Sequence, residues 1–211
     1  SKIHFIQNKA LELSLFLTLP ASAALLIASE EIISALFGYG SFDQVSAINS
    51  GKALYYFALG LPAFSLIKVF SSFFFANHDT KIPFYISLFS VLINIVISIS
   101  YFSEIGFIII PIATTISSWL NAILLFAFLK NRDLFSFNNI FLVRFVKIII
   151  ASLLMAIFFN FLITYFKYEL AFNQNIKSFY LILSVILSLL FYLFVSYWIQ
   201  AFELSDIKLK Y

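Results

Sequence analysis

Long apolar runs separated by short polar punctuation set the pattern of this chain. Runs over 11–28, 54–76, 84–102, 106–129, 146–165 and 179–199 carry almost no charge. A membrane-crossing helix needs about 20 mostly apolar residues, whereas a membrane-crossing strand alternates in character over roughly ten positions. The runs are continuous and do not alternate, so the pattern predicts six transmembrane helices in an all-α polytopic membrane protein. After the first run, SEEIISALFGYGSFD sets Ile32, Ile33, Leu36 and Phe37 on one helical face, opposite Glu30 and Glu31. That predicts a short helix lying in the membrane interface, stopped by Gly38 and Gly40. Pro20 should kink the first span, and Pro83 suits the first turn of the third.

Composition makes the solvent explicit. Of 211 residues, 63% are hydrophobic and 11% charged. An ordinary soluble domain is about 45–50% apolar and about 25% charged, so this much apolar surface belongs in lipid. Cysteine is absent, which excludes disulfides and thiolate metal sites. The chain begins at Ser1 rather than Met, an apolar run follows almost at once, and it is expected to be a piece of a longer protein. Ala21-Ser22-Ala23 resembles a signal-peptidase site, but the apolar run continues past it and further spans come after, which argues against cleavage.

Basic residues orient the spans. One set of flanks holds Lys2, Lys9, Lys81, Lys130, Arg132, Arg144, Lys147, Lys208 and Lys210; the opposite set holds Lys52, Lys167 and Lys177. The bias predicts that both ends of the chain are cytoplasmic. Asn77-His78-Asp79-Thr80-Lys81 then becomes a short cytoplasmic turn, and the basic stretch KNRDLFSFNNIFLVRFVK the longest cytoplasmic segment, suited to anionic headgroups. Tyr101, Tyr165, Tyr168, Tyr180, Tyr197 and Trp198 lie near span ends as interfacial anchors.

Polar residues inside the spans are the candidate chemistry. Lys68 lies about nine residues, roughly 13 Å, from the cytoplasmic end of its span. An ammonium near the bilayer centre costs at least about 2.5–3.5 kcal/mol, so it should face protein or a wet cavity. Ser65 and Ser72 share its helical face. Two readings stand: a functional cavity charge, or a lysine that snorkels or bonds backbone carbonyls. Further stripes run along the next two spans, Ser87, Ser90, Asn94 and Ser98, then Thr114, Ser117 or Ser118, and Asn121. Such stripes serve either as glue between helices, worth about 0.6 kcal/mol per contact, or as the lining of a hydrated path. Ser184 and Ser188 in the last span would allow close helix approach. No phosphate-cradling glycine loop, histidine pair or intramembrane carboxylate pair is present, and no catalytic set, cofactor, metal site or nucleic-acid partner is expected.

Several motifs carry a family resemblance. Leu36-Phe37 with Gly40 and Phe42, Gly60-Leu61-Pro62 with Lys68-Val69, and Phe74-Phe75-Ala76 with Asp79, Lys81 and Pro83 fall in order and spacing over roughly residues 11–130. In these motifs the chain resembles the second half of the MviN/MurJ lipid II flippases, of the multidrug/oligosaccharidyl-lipid/polysaccharide exporter superfamily. The last two spans match only in number, length and placement. One position departs: Asn77, followed by His78, stands where the family usually has arginine, so that arginine's role is not carried over.

The resemblance implies a C-terminal fragment of a fourteen-helix, two-lobe transporter of the bacterial inner membrane. Residues 1–130 would form the last four helices of the second lobe, and 131–211 a cytoplasmic connector plus a terminal helix pair with a lipid groove. It implies a flippase carrying a polyprenyl-pyrophosphate-linked peptidoglycan precursor from inner to outer leaflet by alternating access. Lys68, Ser65, Ser72, Asn94 and Asn121 become cavity candidates, and Asp79, Lys81 and His78 candidates for a cytoplasmic hinge or gate. Expected partners are the lipid-linked precursor and membrane lipids. Within the superfamily the alternative is an exporter of other lipid-linked oligosaccharides or a cation-coupled drug antiporter. Outside it, the alternative is a non-transporting scaffold whose partners are cell-wall synthesis proteins.

Overall fold

A computed structural model describes residues 2–201, with side chains from residue 3 onward. Lys208 and Lys210, used above for orientation, lie outside the described residues. The regular structure of the described residues is all helix, and the predicted spans reappear as α1 (Lys2–Ile27), α3 (Gln44–Ala76), α4 (Lys81–Ile105), α5 (Ile109–Asn131), α6 (Asn139–Tyr165) and α7 (Lys177–Trp198). The short helix after the first span is α2, Ser29–Phe37. Five continuous helical stretches are long and apolar enough to cross a membrane. One of them, Lys81–Asn131, is the α4–α5 hairpin, which accounts for six membrane-length helices.

Three helices, α1, α3 and α6, begin well before their apolar runs. Asp43 explains the case of α3: its Oδ1 accepts the Ser46 amide at 2.8 Å, so the polar stretch after it starts a helix. Those contacts with Ser46 also hold the Asp43 carboxyl below its ordinary range. α3 therefore runs to 33 residues, about 50 Å at 1.5 Å per residue and longer than a hydrocarbon core of about 30 Å requires. α6 likewise starts at Asn139 and takes Arg144 and Lys147 into its first turns, so only 132–138 of the predicted basic segment is non-helical.

The chain packs as two compact units. Among the described residues, the first holds 2–18 and 53–138. In it Gly60 is a point of closest approach, because a Cβ there would lie 2.9 Å from Thr115 Oγ1. Thr115 Oγ1 donates to the Tyr56 carbonyl at 2.7 Å, and Trp119 Nε1 to the Leu59 carbonyl at 3.0 Å. The Gly60-Leu61-Pro62 motif thus marks where α5 closes on α3. At the other end, Phe73 and Phe135 stack at 5.8 Å beside Phe70 and Phe126. Gln7 and Asn8 of α1 donate to the carbonyls of Leu134 and Ser136 at 3.0 and 2.8 Å. Together these seat the segment after α5 as part of the unit, with Phe135 4% exposed.

Among the described residues, the second unit holds 19–52 and 139–201. Ser184 and Ser188 are buried along α7, with Ala151, Met155 and Phe159 buried along α6, so the predicted small-residue approach is present. α2 ends as predicted: the Gly38 amide bonds the Ser34 carbonyl at 2.9 Å. The face it turns to the protein is centred on Ser34 and Ala35. Leu36 and Phe37 are 60% and 58% exposed, while Ala35 is 2% exposed. The small side chain lets α2 close on α7, where Ser178 Oγ donates to the Ala35 carbonyl at 2.5 Å. Ala28, Ala35, Phe159, Leu170 and Leu181 form the core beneath it.

Candidate functional site

The predicted cavity residues fall into two settings, α3 and the α4–α5 hairpin, both in the first unit. Ser65 on α3 is hydrogen-bonded hydroxyl to hydroxyl with Ser14 of α1. Ser72 donates at 2.7 Å to the Val69 carbonyl of its own helix. Lys68 lies between them on α3, exposed, with no hydrogen bond or ion pair among the described residues. Of its two sequence readings, capture by backbone carbonyls within this chain is not what the structure shows. The ammonium projects away from the chain's own packing.

Asn94 and Asn121 sit in the α4–α5 hairpin. Asn94 Nδ2 donates to Thr114 Oγ1 at 3.1 Å and to Ser117 Oγ at 3.2 Å. Asn121 Nδ2 reaches Ser87 Oγ at 3.4 Å. Thr114, Ser90 and Ser118 instead donate back to their own helices, the usual local solution for a hydroxyl in an apolar helix. The paired stripes therefore join two helices, as the glue reading anticipated. Asn121 Oδ1 is buried without a hydrogen-bond donor.

The turn between α3 and α4 is built by its polar cluster. The Asp79 amide returns to the Phe74 carbonyl and the His78 amide to that of Phe75, both at 3.0 Å, with His78 at φ +57°. This is a left-handed helix stop made without glycine. Asp79 Oδ1 then accepts the amides of Lys81 and Ile82 at 3.0 and 3.2 Å, opening α4. Its other oxygen, Oδ2, accepts Arg132 Nη1 at 2.8 Å. Arg132 belongs to a matching stop at the end of α5, where Asp133 has φ +54° and the Leu134 amide bonds the Leu129 carbonyl at 3.0 Å. Of the three predicted gate residues, Asp79 organises the turn and His78 supplies its backbone twist. Lys81 contributes its amide, and its side chain is exposed. The guanidinium partner of Asp79 was not predicted, since 53 residues separate the two in sequence.

A second cluster escaped the sequence reading entirely. Lys177, counted above only as a flanking charge, is 1% exposed. In the second unit its Nζ donates to the Gly38 carbonyl at 2.7 Å and to that of Phe172 at 2.6 Å. It also lies 4.6 Å and 4.5 Å from the ring centres of Tyr39 and Phe172. The cation sits at the C-terminal end of α2, where the helix dipole is negative. Tyr39 and Ser178 share a hydroxyl hydrogen bond at 2.6 Å beside it. Gly38 has no side chain because a Cβ would meet Lys177 Nζ at 2.9 Å and the Ser34 carbonyl at 2.4 Å.

Six membrane-length helices, polar side chains joining neighbouring helices and an unpaired ammonium inside one of them define a multi-pass helical membrane protein. The family model for the lipid II flippase MurJ matches residues 1–181. The chain belongs to the MurJ lipid II flippase family. It is 40% identical over 151 residues to a probable lipid II flippase MurJ of Rhizobium meliloti (strain 1021), covering 72% of this chain and 28% of that protein. Against the lipid II flippase MurJ of Thermosipho africanus (strain TCF52B) it is 28% identical over 189 residues, which is 90% of this chain and 36% of that one. A solved structure of lipid II flippase MurJ in the inward closed conformation superposes with a TM-score of 0.74 at 27% identity, covering 92% of this chain and 38% of that chain. The chain thus spans about a third of the length of the relatives it matches.

Proposed function

We propose that the chain is the C-terminal part of a bacterial inner-membrane transporter that flips the polyprenyl-pyrophosphate-linked peptidoglycan precursor, lipid II, from inner to outer leaflet. The observation that carries this reading is the family match over residues 1–181, with the fold similarity over most of the chain. In it, residues 1–130 supply the last four helices of a second lobe. Residues 131–211 supply the connector and terminal helix pair, both ends are cytoplasmic, and transport proceeds by alternating access without covalent chemistry.

Lys68 is the residue through which this chain acts on the cargo. Its ammonium is exposed and unpaired in the middle of an apolar helix. Lipid would exact several kcal/mol for it, whereas an inter-lobe cavity holding water and a pyrophosphate would not. Ser65 and Ser72 flank it on the same face. Asn94 and Asn121 hold α4 to α5 and so keep that wall rigid. Asp79, with Arg132, Lys81 and His78, forms the cytoplasmic hinge or gate that the lobes turn on.

The test uses the full-length protein in vesicles with labelled lipid II. Lys68→Ala at normal expression is expected to lower the flipping rate, and unchanged flipping removes Lys68 from the cargo path. The scaffold alternative, with cell-wall synthesis proteins as partners, predicts wild-type flipping at the background rate.

A further inference from the structure

In the second unit, a recess of about 220 Å³ opens beneath the start of α2. Glu30, Glu31 and Ser34 of α2, Gln44 at the start of α3, and Lys167 and Phe172 after α6 line it. These polar side chains neither pair nor hydrogen-bond with one another. Ser34 is 4% exposed, and its hydroxyl has no hydrogen-bond partner. A buried serine in a helix ordinarily donates to a carbonyl one turn back; the Ser34 hydroxyl instead stays available to a ligand in the recess.

The position of the recess selects the ligand. It lies just past the end of the membrane-length helix α6, where Tyr165 and Tyr168 are 70% and 77% exposed, the place of an aromatic belt at the headgroup level. Burial pushes the Glu31 carboxyl above its ordinary range, opposed by its own amide; the like charge of Glu30 pushes the same way and Lys167 opposes it. The recess thus sets two carboxyl groups and one ammonium around the same space.

We propose that this recess binds the headgroup of a zwitterionic aminophospholipid, with the primary ammonium against Glu30 and Glu31 and the phosphate against Lys167. A primary ammonium carries N–H donors for the carboxylates, and a phosphate offers acceptors to an ammonium and to the Gln44 amide. A choline headgroup lacks those donors, and a glycerol headgroup lacks the cation.

The experiment is native mass spectrometry of the full-length protein released from bilayers holding equal amounts of phosphatidylethanolamine, phosphatidylcholine and phosphatidylglycerol. The expected result is about tenfold preferential retention of phosphatidylethanolamine, the effect of one or two charge-assisted hydrogen bonds. The double variant Glu30→Gln with Glu31→Gln should bring the three lipids to near-equal retention. Glu30→Gln alone, on an exposed residue, should reduce the preference severalfold and serves if the double variant does not fold, whereas Lys167→Glu should lower retention of all three lipids together, since each carries the phosphate. Equal retention by the wild type, or an undiminished preference in Glu30→Gln, overturns the proposal. Phosphoethanolamine added to delipidated protein separates the sources. Micromolar binding of that soluble compound would assign the recess to a water-borne solute and overturn the lipid reading, whereas no binding below the millimolar range supports it.

Discussion

Replacing Lys177 with methionine keeps the length of the side chain and removes its charge, so the loss can be worked from the contacts. Two charged hydrogen bonds disappear, to the carbonyls of Gly38 and Phe172 at 2.7 and 2.6 Å, each worth about 1.5–3 kcal/mol. The cation–π contacts with Tyr39 and Phe172 add about 1–2 kcal/mol at a desolvated site. Against this, the variant no longer buries an ammonium, a penalty of several kcal/mol in the wild type. The difference leaves Lys177→Met less stable by about 2–4 kcal/mol, mainly because two carbonyls lose their donor. The loss should be local before it is global, since these contacts join the end of α2 to the start of α7. In hydrogen exchange on the reconstituted protein, amides of 29–42 should exchange about thirty- to a thousand-fold faster, with α4 and α5 unchanged. If 29–42 exchanges at the wild-type rate and detergent unfolding shifts by less than about 0.5 kcal/mol, the cation is not what holds α2, and this account fails.

Other substitutions test the remaining geometry. Gly38→Ala should destabilise by about 1–3 kcal/mol in the same unfolding assay, because the new Cβ would lie 2.4 Å from a backbone oxygen. Asp79→Asn keeps an oxygen for the Lys81 and Ile82 amides and loses only a partly exposed ion pair, about 0.2–1 kcal/mol; Asp79→Ala should cost roughly 1 kcal/mol more, and equal losses would deny the capping role. Asp133→Gly should stabilise by about 0.5–1 kcal/mol, read as a raised melting temperature, since φ +54° suits glycine better. Glu31 has a carboxyl raised above its ordinary 4.5, so its neutral form favours the fold. That contribution is full below pH 4.5 and is lost as pH rises through the raised value. Glu31→Gln should therefore melt higher than wild type at pH 7.5, and the gap should close towards pH 4.5.

The membrane-length helices were legible because each needs only its own residues: an uninterrupted apolar run long enough to cross lipid. Their starts were less so. The first turns of α3 rest on one capping contact at Asp43, and polar residues beyond the run say little about helicity. The α4–α5 stripes were legible too, because helical spacing already put Asn94 on the face that meets Thr114 and Ser117. Lys177 was not. Its burial depends on the Gly38 carbonyl, 139 residues away in sequence, and on two rings brought over it by the fold. Arg132 hid for the same reason, since a basic residue at a span end reads as a topology signal until the fold sets Asp79 beside it.

The short reversal at Asn77–Thr80 also fixes the angular phase of α4. With a left-handed stop on one side and a carboxylate cap on the other, it holds no slack to absorb an added residue. One insertion between Lys81 and Asn94 would rotate everything beyond it by about 100°, carrying the asparagine off its threonine and serine partners and exposing an amide to hydrocarbon. Related chains should therefore vary freely in which residues occupy this stretch, yet keep its length without gaps.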